Sequence, residues 1–297
     1  MIVITAPTGN IGHQVLNNVL AGDQPVRVIV RDPAKLSADT RDRVEVIQGS
    51  HGDPQVVTRA FDGADAVFWL LPTDNSAASL DAAYVGFTRP AAEAMRGQHV
   101  KRVVDVSALG RDTANASRAG HVTASLAMDD LIASTGVAFR ALTMPSFMDN
   151  MLRQVRAIKE QGTIFDIVSA DRKLPVVATR DIAAIAARLL LDDSWTGQQA
   201  VPLIGPQDLC GNDLAAVVSE VLATPVRFRQ IPVQAFYDQV TGYGTSPAIA
   251  QGLADMLIAK DNGLDNGIAR TPRNAIDTPT TFRQWCEYAL RPAVQAA

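Results

Sequence analysis

Through the first half of the chain, short β-branched and apolar runs alternate with stretches whose apolar residues recur at helical spacing. Ile2–Thr5, Val26–Val30, Val44–Gln48, Ala66–Leu71, Val103–Ser107 and Val137–Leu142 read as strands. Ile11–Leu20, Pro54–Phe61, Ser79–Arg96 and Ser125–Ser134 read as the helices between them. The run Val67-Phe68-Trp69-Leu70-Leu71 shows no polar alternation, so that strand is expected to be covered on both faces, as in a parallel sheet. An α/β, doubly wound parallel sheet is the predicted architecture, with ligands bound at the carboxyl ends of its strands.

After Asn150 the rhythm changes. Met151–Gln161 reads as helix, Thr163–Val168 as strand, Asp181–Leu191 as a strongly apolar helix, Asn212–Leu222 as helix and Val226–Gln230 as a short strand, with Ala200–Leu203 a candidate to rejoin the sheet. The expected division is a nucleotide-binding domain over 1–150 and a smaller C-terminal α/β lobe over 151–297, with segments of about 176–205 returning to the first domain.

Composition narrows the function classes. A chain of 297 residues, 47% hydrophobic and 20% charged, can hold a large core without covalent staples. With 27 Lys and Arg against 31 Asp and Glu, its net charge of −4 offers no general field for a polyphosphate backbone, so no direct nucleic-acid partner is expected. The two cysteines, Cys210 and Cys286, are far apart and lack neighbours at metal-ligand spacing, which argues against a metal site. No leader-like or membrane-length apolar segment is seen, and a cytoplasmic protein, monomer or homodimer, with no membrane partner is expected.

The chemistry-bearing stretch is Thr5-Ala6-Pro7-Thr8-Gly9-Asn10-Ile11-Gly12, between the first strand and the first helix. Glycines there let a pyrophosphate approach the helix N-terminus, so Thr8, Gly9, Asn10, Ile11 and Gly12 are candidate cofactor ligands. Ala6 stands where a further glycine is expected, leaving a partial fingerprint that also suits a tight turn with nothing bound. The second strand runs into Arg31-Asp32-Pro33-Ala34-Lys35. A cation at that place accommodates a 2′-phosphate, so NADP(H) is the expected cofactor, with Arg31 and Lys35 as ligands; the alternative is a pair of solvated surface charges, with Asp32 partly neutralising Arg31.

Together with Thr143-Met144-Pro145-Ser146-Phe147-Met148-Asp149-Asn150, Asp181-Ile182-Ala183 and Leu203-Ile204-Gly205-Pro206, these segments resemble the NmrA-like family of atypical short-chain dehydrogenases. The resemblance runs to about residue 235 and implies an NADP-binding Rossmann domain with a small substrate lobe. Family members include quinone and triphenylmethane reductases, and regulators that bind dinucleotide without turning it over. The chain departs from the family in its Ala6-Pro7 pair, in Thr143 where an Arg commonly precedes Pro, and in Ser125 where many relatives carry Lys ahead of an acid, here Asp129. None of Tyr84, Tyr237, Tyr243 or Tyr288 is followed four residues later by Lys, so the short-chain Tyr-x-x-x-Lys pair is absent.

The expected cleft retains Ser107, His121 and Ser125 as catalytic candidates, with Ser107 more a positioner of the nicotinamide than a nucleophile. His121 is either a proton donor or a surface loop histidine. The resemblance places His51 at the adenine edge, as a stacking ring or a plain polar loop residue, and Leu70, Leu71 and Pro72 beside the cofactor ribose. Met144, Phe147 and Asn150 are candidate substrate contacts, although a stripe with Met148 and Met151 also suits plain core. The leading expectation is an NADPH-dependent reductase passing hydride to a flat apolar small molecule such as a quinone or aromatic dye. The alternatives are a non-catalytic NADP(H) sensor and, with less support, an epimerase.

Overall fold

The structure, a computed structural model, describes residues 1–72 and 74–297. In chain order its first half contains β1 (Ile2–Thr5), α1 (Asn10–Val19), β2 (Val26–Val30), α2 (Ala38–Arg41), β3 (Glu45–Gln48), α3 (Pro54–Phe61), β4 (Ala66–Trp69), α4 (Phe87–Gly97), β5 (Arg102–Ala108), α5 (His121–Ala133) and β6 (Ala138–Met144). There follow β7 (Ser146–Phe147), α6 (Val155–Gln161), β8 (Thr163–Asp166), β9 (Leu174–Val177), α7 (Thr179–Leu191), β10 (Gln198–Pro202), β11 (Asp208–Leu209), α8 (Gly211–Leu222), β12 (Arg227–Gln230), α9 (Val233–Gly242) and α10 (Pro247–Asp261).

Seven parallel strands form the main sheet in the order β10-β6-β5-β4-β1-β2-β3, the doubly wound arrangement that the apolar runs predict. Side chains alternate between two cores. Ile4, Val28, Phe68, Val104 and Leu142 pack under α1 and α7, whereas Val3, Ile29, Val67, Val103 and Phe139 meet α3, α4 and α5. β1, β2, β4, β5 and β6 thus bury both faces, which is why they read as largely apolar runs. β10 joins the sheet beside β6 as its edge strand, and its residues are exposed except for half-buried Val201.

Local chemistry sets several boundaries. Asp53 caps α3, its carboxylate accepting the N–H groups of Gln55 and Val56, and Pro54 supplies the fixed first turn. β4 ends at Trp69 rather than Leu71, because the Leu70 N–H turns to the Thr5 hydroxyl at 2.8 Å instead of a neighbouring strand. Pro90 lies inside α4, and the wider π-type turn over Ala82–Gly86 ends at the residue whose carbonyl Pro90 cannot bond. α5 begins at His121, four residues before the predicted Ser125.

The C-terminal elements build a separate core around Trp285 and Phe282, stacked at 5.6 Å, with β12 paired to β8 and β9 between β7 and β11. From it the α9–α10 arm reaches back over the carboxyl ends of the main strands. The Ser246 N–H donates to the Asn75 carbonyl at 2.8 Å and its hydroxyl to that of Ala77 at 2.7 Å. At the start of α5, a Cβ on Gly120 would lie 2.0 Å from the Gly252 carbonyl of α10, so the two backbones meet directly. No described helix is long and apolar enough to cross a membrane.

Candidate functional site

The turn after β1 is built around one carbonyl. Ala6 has a left-handed backbone (φ 48°), which aims its carbonyl at α1, where it accepts the Gly9 N–H at 3.0 Å. A Cβ on Gly12 would sit 2.1 Å from that oxygen, so only glycine fits there, whereas one on Gly9 would meet it at an ordinary 3.4 Å. The start of α1 has no side-chain cap and no acid in its first turn. Its leading N–H groups and the positive end of its dipole are thereby left for an anion. Ile11 is buried in the core and contributes backbone only. The Asn10 side chain is committed elsewhere, donating to Asp149 Oδ1 at 3.0 Å and to the Thr179 hydroxyl at 3.3 Å. Asp149 in turn accepts the Thr179 N–H at the start of α7, so one carboxylate ties the turn to the segment after β6.

At the end of β2, Arg31 and Lys35 are both exposed. Asp32 does not neutralise this corner through a salt bridge to Arg31; its carboxylate accepts the Ala34 N–H at 3.1 Å, capping the short turn over Pro33–Lys35. The corner suits a multiply charged phosphate. Half-buried Leu70 and Leu71 and exposed Pro72 follow β4, across the strand ends from the glycine turn.

Neither expectation for His51 survives in this structure. The ring is 8% exposed and packs edge-on near Trp69 (5.2 Å) and Phe87 (4.9 Å), which leaves no open face for a base to stack on. Burial, with Arg31 adding to it, pushes its pKa down to about 4, against a hydrogen bond to the Leu70 backbone, so it is neutral near pH 7.

His121 is likewise not a surface loop histidine. It is 6% exposed, with Nδ1 3.0 Å from the Tyr84 hydroxyl and Nε2 3.2 Å from the Ile249 carbonyl of α10. Nε2–H donates to that carbonyl, and burial lowers the pKa of the ring, which favours the neutral form with Nδ1 accepting the Tyr84 hydroxyl. The expected role of His121 as a free proton donor is therefore corrected to that of a tie between α5, the turn before α4 and the arm. Ser125, one turn on, is buried.

Ser107 holds the end of β5 and is 5% exposed. Its hydroxyl donates to Asp129 Oδ2 at 2.5 Å. Beneath it on the same strand face lies Asp105, fully buried, with neither carboxylate oxygen hydrogen-bonded to a donor. Burial and the adjacent Asp129 carboxyl push the Asp105 pKa well above the usual carboxylate range. Burial also raises that of Asp129, to about 6, against the pull of Ser107 and Arg111. Arg111 reaches Asp129 at 3.4 Å and Asp130 at 2.7 Å. In the sequence Asp129 stands out only as an aligned position, and the signal for Asp105 is a lone acid within the apolar run Val103-Val104-Asp105-Val106.

Of the substrate candidates, Met144 is corrected to core, 2% exposed and packed in the cluster that includes Val177 and Ile182. Phe147 is half-buried and Asn150 exposed. Met148 and Met151 are buried in the C-terminal core.

Residues 7–193 match a family described as NAD(P)H-binding. The NAD(P)H azoreductase of Xenophilus azovorans is 26% identical over 289 residues, 97% of this chain and 96% of that protein. Among solved structures, an NADPH-dependent quinone oxidoreductase from Escherichia coli, complexed with NADPH, superimposes with a TM-score of 0.79 at 23% identity, covering 100% of this chain and 99% of the other. The triphenylmethane reductase of Citrobacter sp. gives 0.81 at 19% identity, covering 98% and 99%. At these identities the two structures establish a shared fold.

Two expected outcomes follow from this geometry. Ala6→Gly removes the left-handed strain and should stabilise the protein by about 1 kcal/mol, read as a higher denaturant midpoint. Because the folded pKa of Asp129 is raised to about 6 and that of Asp105 well above the usual carboxylate range, the stability they favour is fully present below about pH 4 and is lost as pH rises through their folded values. Asp105→Asn should therefore gain on the parent progressively as pH rises from about 4 to about 8 in paired denaturation series.

Proposed function

The chain belongs to the NAD(P)H-binding family, and we propose that it is an NADPH-dependent reductase acting on a flat, apolar acceptor such as a quinone or an azo or triarylmethane dye. The observation that carries this reading is the uncapped start of α1, held close to the end of β1 by the Gly12 contact, at the same sheet end as the exposed Arg31 and Lys35 that follow the neighbouring strand β2. Free backbone donors at a helix start, together with two cations, fit a pyrophosphate and a 2′-phosphate. The azoreductase and quinone reductase relatives support the same class of chemistry.

In this reading Thr8, Gly9, Asn10, Ile11 and Gly12 hold the pyrophosphate through their backbone, and Arg31 and Lys35 hold the 2′-phosphate. Leu70, Leu71 and Pro72 flank the ribose and keep water from it. Ser107 positions the nicotinamide end, while Phe147 and Asn150 meet the acceptor. NADPH, when bound, supplies the hydride. A dry, stacked geometry is the main demand on the protein, so the absent Tyr-x-x-x-Lys pair does not exclude turnover. That absence, together with the sealed His121, favours a second reading: a sensor that binds NADP(H) without reacting.

NADPH oxidation against a panel of quinones and dyes separates the two. Turnover with any acceptor supports the reductase, and tight NADPH binding with no turnover on the whole panel supports the sensor. Arg31→Ala should weaken NADPH binding by about 1 to 3 kcal/mol, the scale of a charge-assisted hydrogen bond, and leave NADH binding nearly unchanged in parallel titrations.

A further inference from the structure

Two carboxyl groups occupy one buried place on the inner face of α5. Asp105 and Ser107 project from the same face of β5, and Asp129 of α5 covers them, accepting the Ser107 hydroxyl at 2.5 Å. Asp105 has no cation or N–H donor of its own. Two ionised carboxylates cannot be held side by side in a dry site with so little compensation, so the pair must keep a proton. The charged groups set against it are Arg111, from the loop after β5, and Asp130, which Arg111 also bonds. From β6 the residues beside Asp105 and Ser107 are Ala141 and Thr143. In the turn at the end of the arm, Lys260 and Asp265 bond each other.

The pair lies between a groove and the strand ends. Asp129, Asp130 and Arg111 line a groove of about 530 Å³ beside β6 and β10, bounded by Phe139, Gln198 and Leu264. At the opposite end, Ser107 sits at the carboxyl edge of the sheet, where ligands of such sheets bind. We propose that Asp105 and Asp129 share one proton, and that Asp129 delivers it through the Ser107 hydroxyl to an acceptor that has just received hydride. The proposal rests on the reductase reading above.

The balance is simple. Hydride from NADPH turns a quinone into a hydroquinone anion. With the shared proton on Asp129, the hydrogen bond reverses: Asp129 O–H donates to Ser107 Oγ, and the Ser107 proton passes to the anionic oxygen. Solvent reprotonates the pair through the groove. The sum is one NADPH, one proton and one quinone giving NADP+ and hydroquinone. Burial and the neighbouring Asp129 carboxyl raise the Asp105 pKa well above the usual carboxylate range, and this keeps one proton in the pair near neutral pH.

A cationic triarylmethane dye distinguishes this step from hydride transfer, because hydride converts the cation directly to a neutral product and no proton is needed. In Asp129→Asn and Ser107→Ala the ratio of the quinone rate to the dye rate should fall by about tenfold or more. An unchanged ratio in both variants overturns the delivery step. Independently of turnover, the infrared carbonyl band of a buried protonated carboxyl should be present in the parent at pH 7 and lost in Asp105→Asn. Absence of that band from the parent overturns the shared proton. If the parent reduces neither acceptor, the reductase reading and the delivery step fall together, while the infrared result still decides whether the proton is shared.

Discussion

A Cβ on Gly12 would lie 2.1 Å from the Ala6 carbonyl, and this close approach of α1 to the end of β1 is the constraint on which the strand-end geometry depends. It fixes how closely α1 descends onto the end of β1 and so where the start of that helix points. Thr5, the last residue of β1, extends the constraint sideways: its hydroxyl donates to the Phe68 carbonyl and accepts the Leu70 N–H, locking the ends of β1 and β4 together. Asn10 and Asp149 extend it the other way, to α7 and the segment after β6. The turn, the segment that begins at Leu70 and the segment after β6 are thus one hydrogen-bonded unit, and a shift of any part displaces the others.

Polar groups buried around this frame divide into those with complete partners and those without. His121, with both ring nitrogens bonded, behaves as structure, as does the Arg188–Asp277 pair with its two bonds of 2.8 and 3.0 Å. Asp105 is the exception among the acids of the main sheet. A fully buried carboxyl without a donor carries a desolvation cost that an apolar residue at the same place would avoid. It lies on an interior strand, on the same face as Ser107 and under the Asp129 carboxyl.

Much of the sheet was legible because the strands are short, apolar and separated by helices of ordinary length. β1, β2 and α3 lie where the pattern predicts, and β10 returns to the sheet as the Ala200–Leu203 run suggested. Boundaries set by contacts distant in sequence were not legible. Leu70 leaves the ladder because of Thr5, and α5 starts early where Gly120 meets Gly252. His51 shows the same limit. Gly49-Ser50-His51-Gly52-Asp53 reads as a polar loop, and the ring becomes core only because Trp69 and Phe87 converge on it. At the candidate site, the glycine turn and the Arg31 corner were visible as local motifs, whereas the acid pair required β5 and α5 to be placed together.

The contact of Gly120 with Gly252 has a consequence for how the arm can vary. The arm is seated on the first half of the chain through main-chain atoms at Ser246 and at the two glycines, and through apolar packing of Met256, Ala259 and Leu264 on Val122 and Leu126. Gly120 cannot gain a side chain without parting α5 from α10, so the closest approach of the two elements is set by backbone. Exposed side chains elsewhere on α9 and α10 are free of that limit, and variation among them can change the surface of the arm without changing its distance from the sheet.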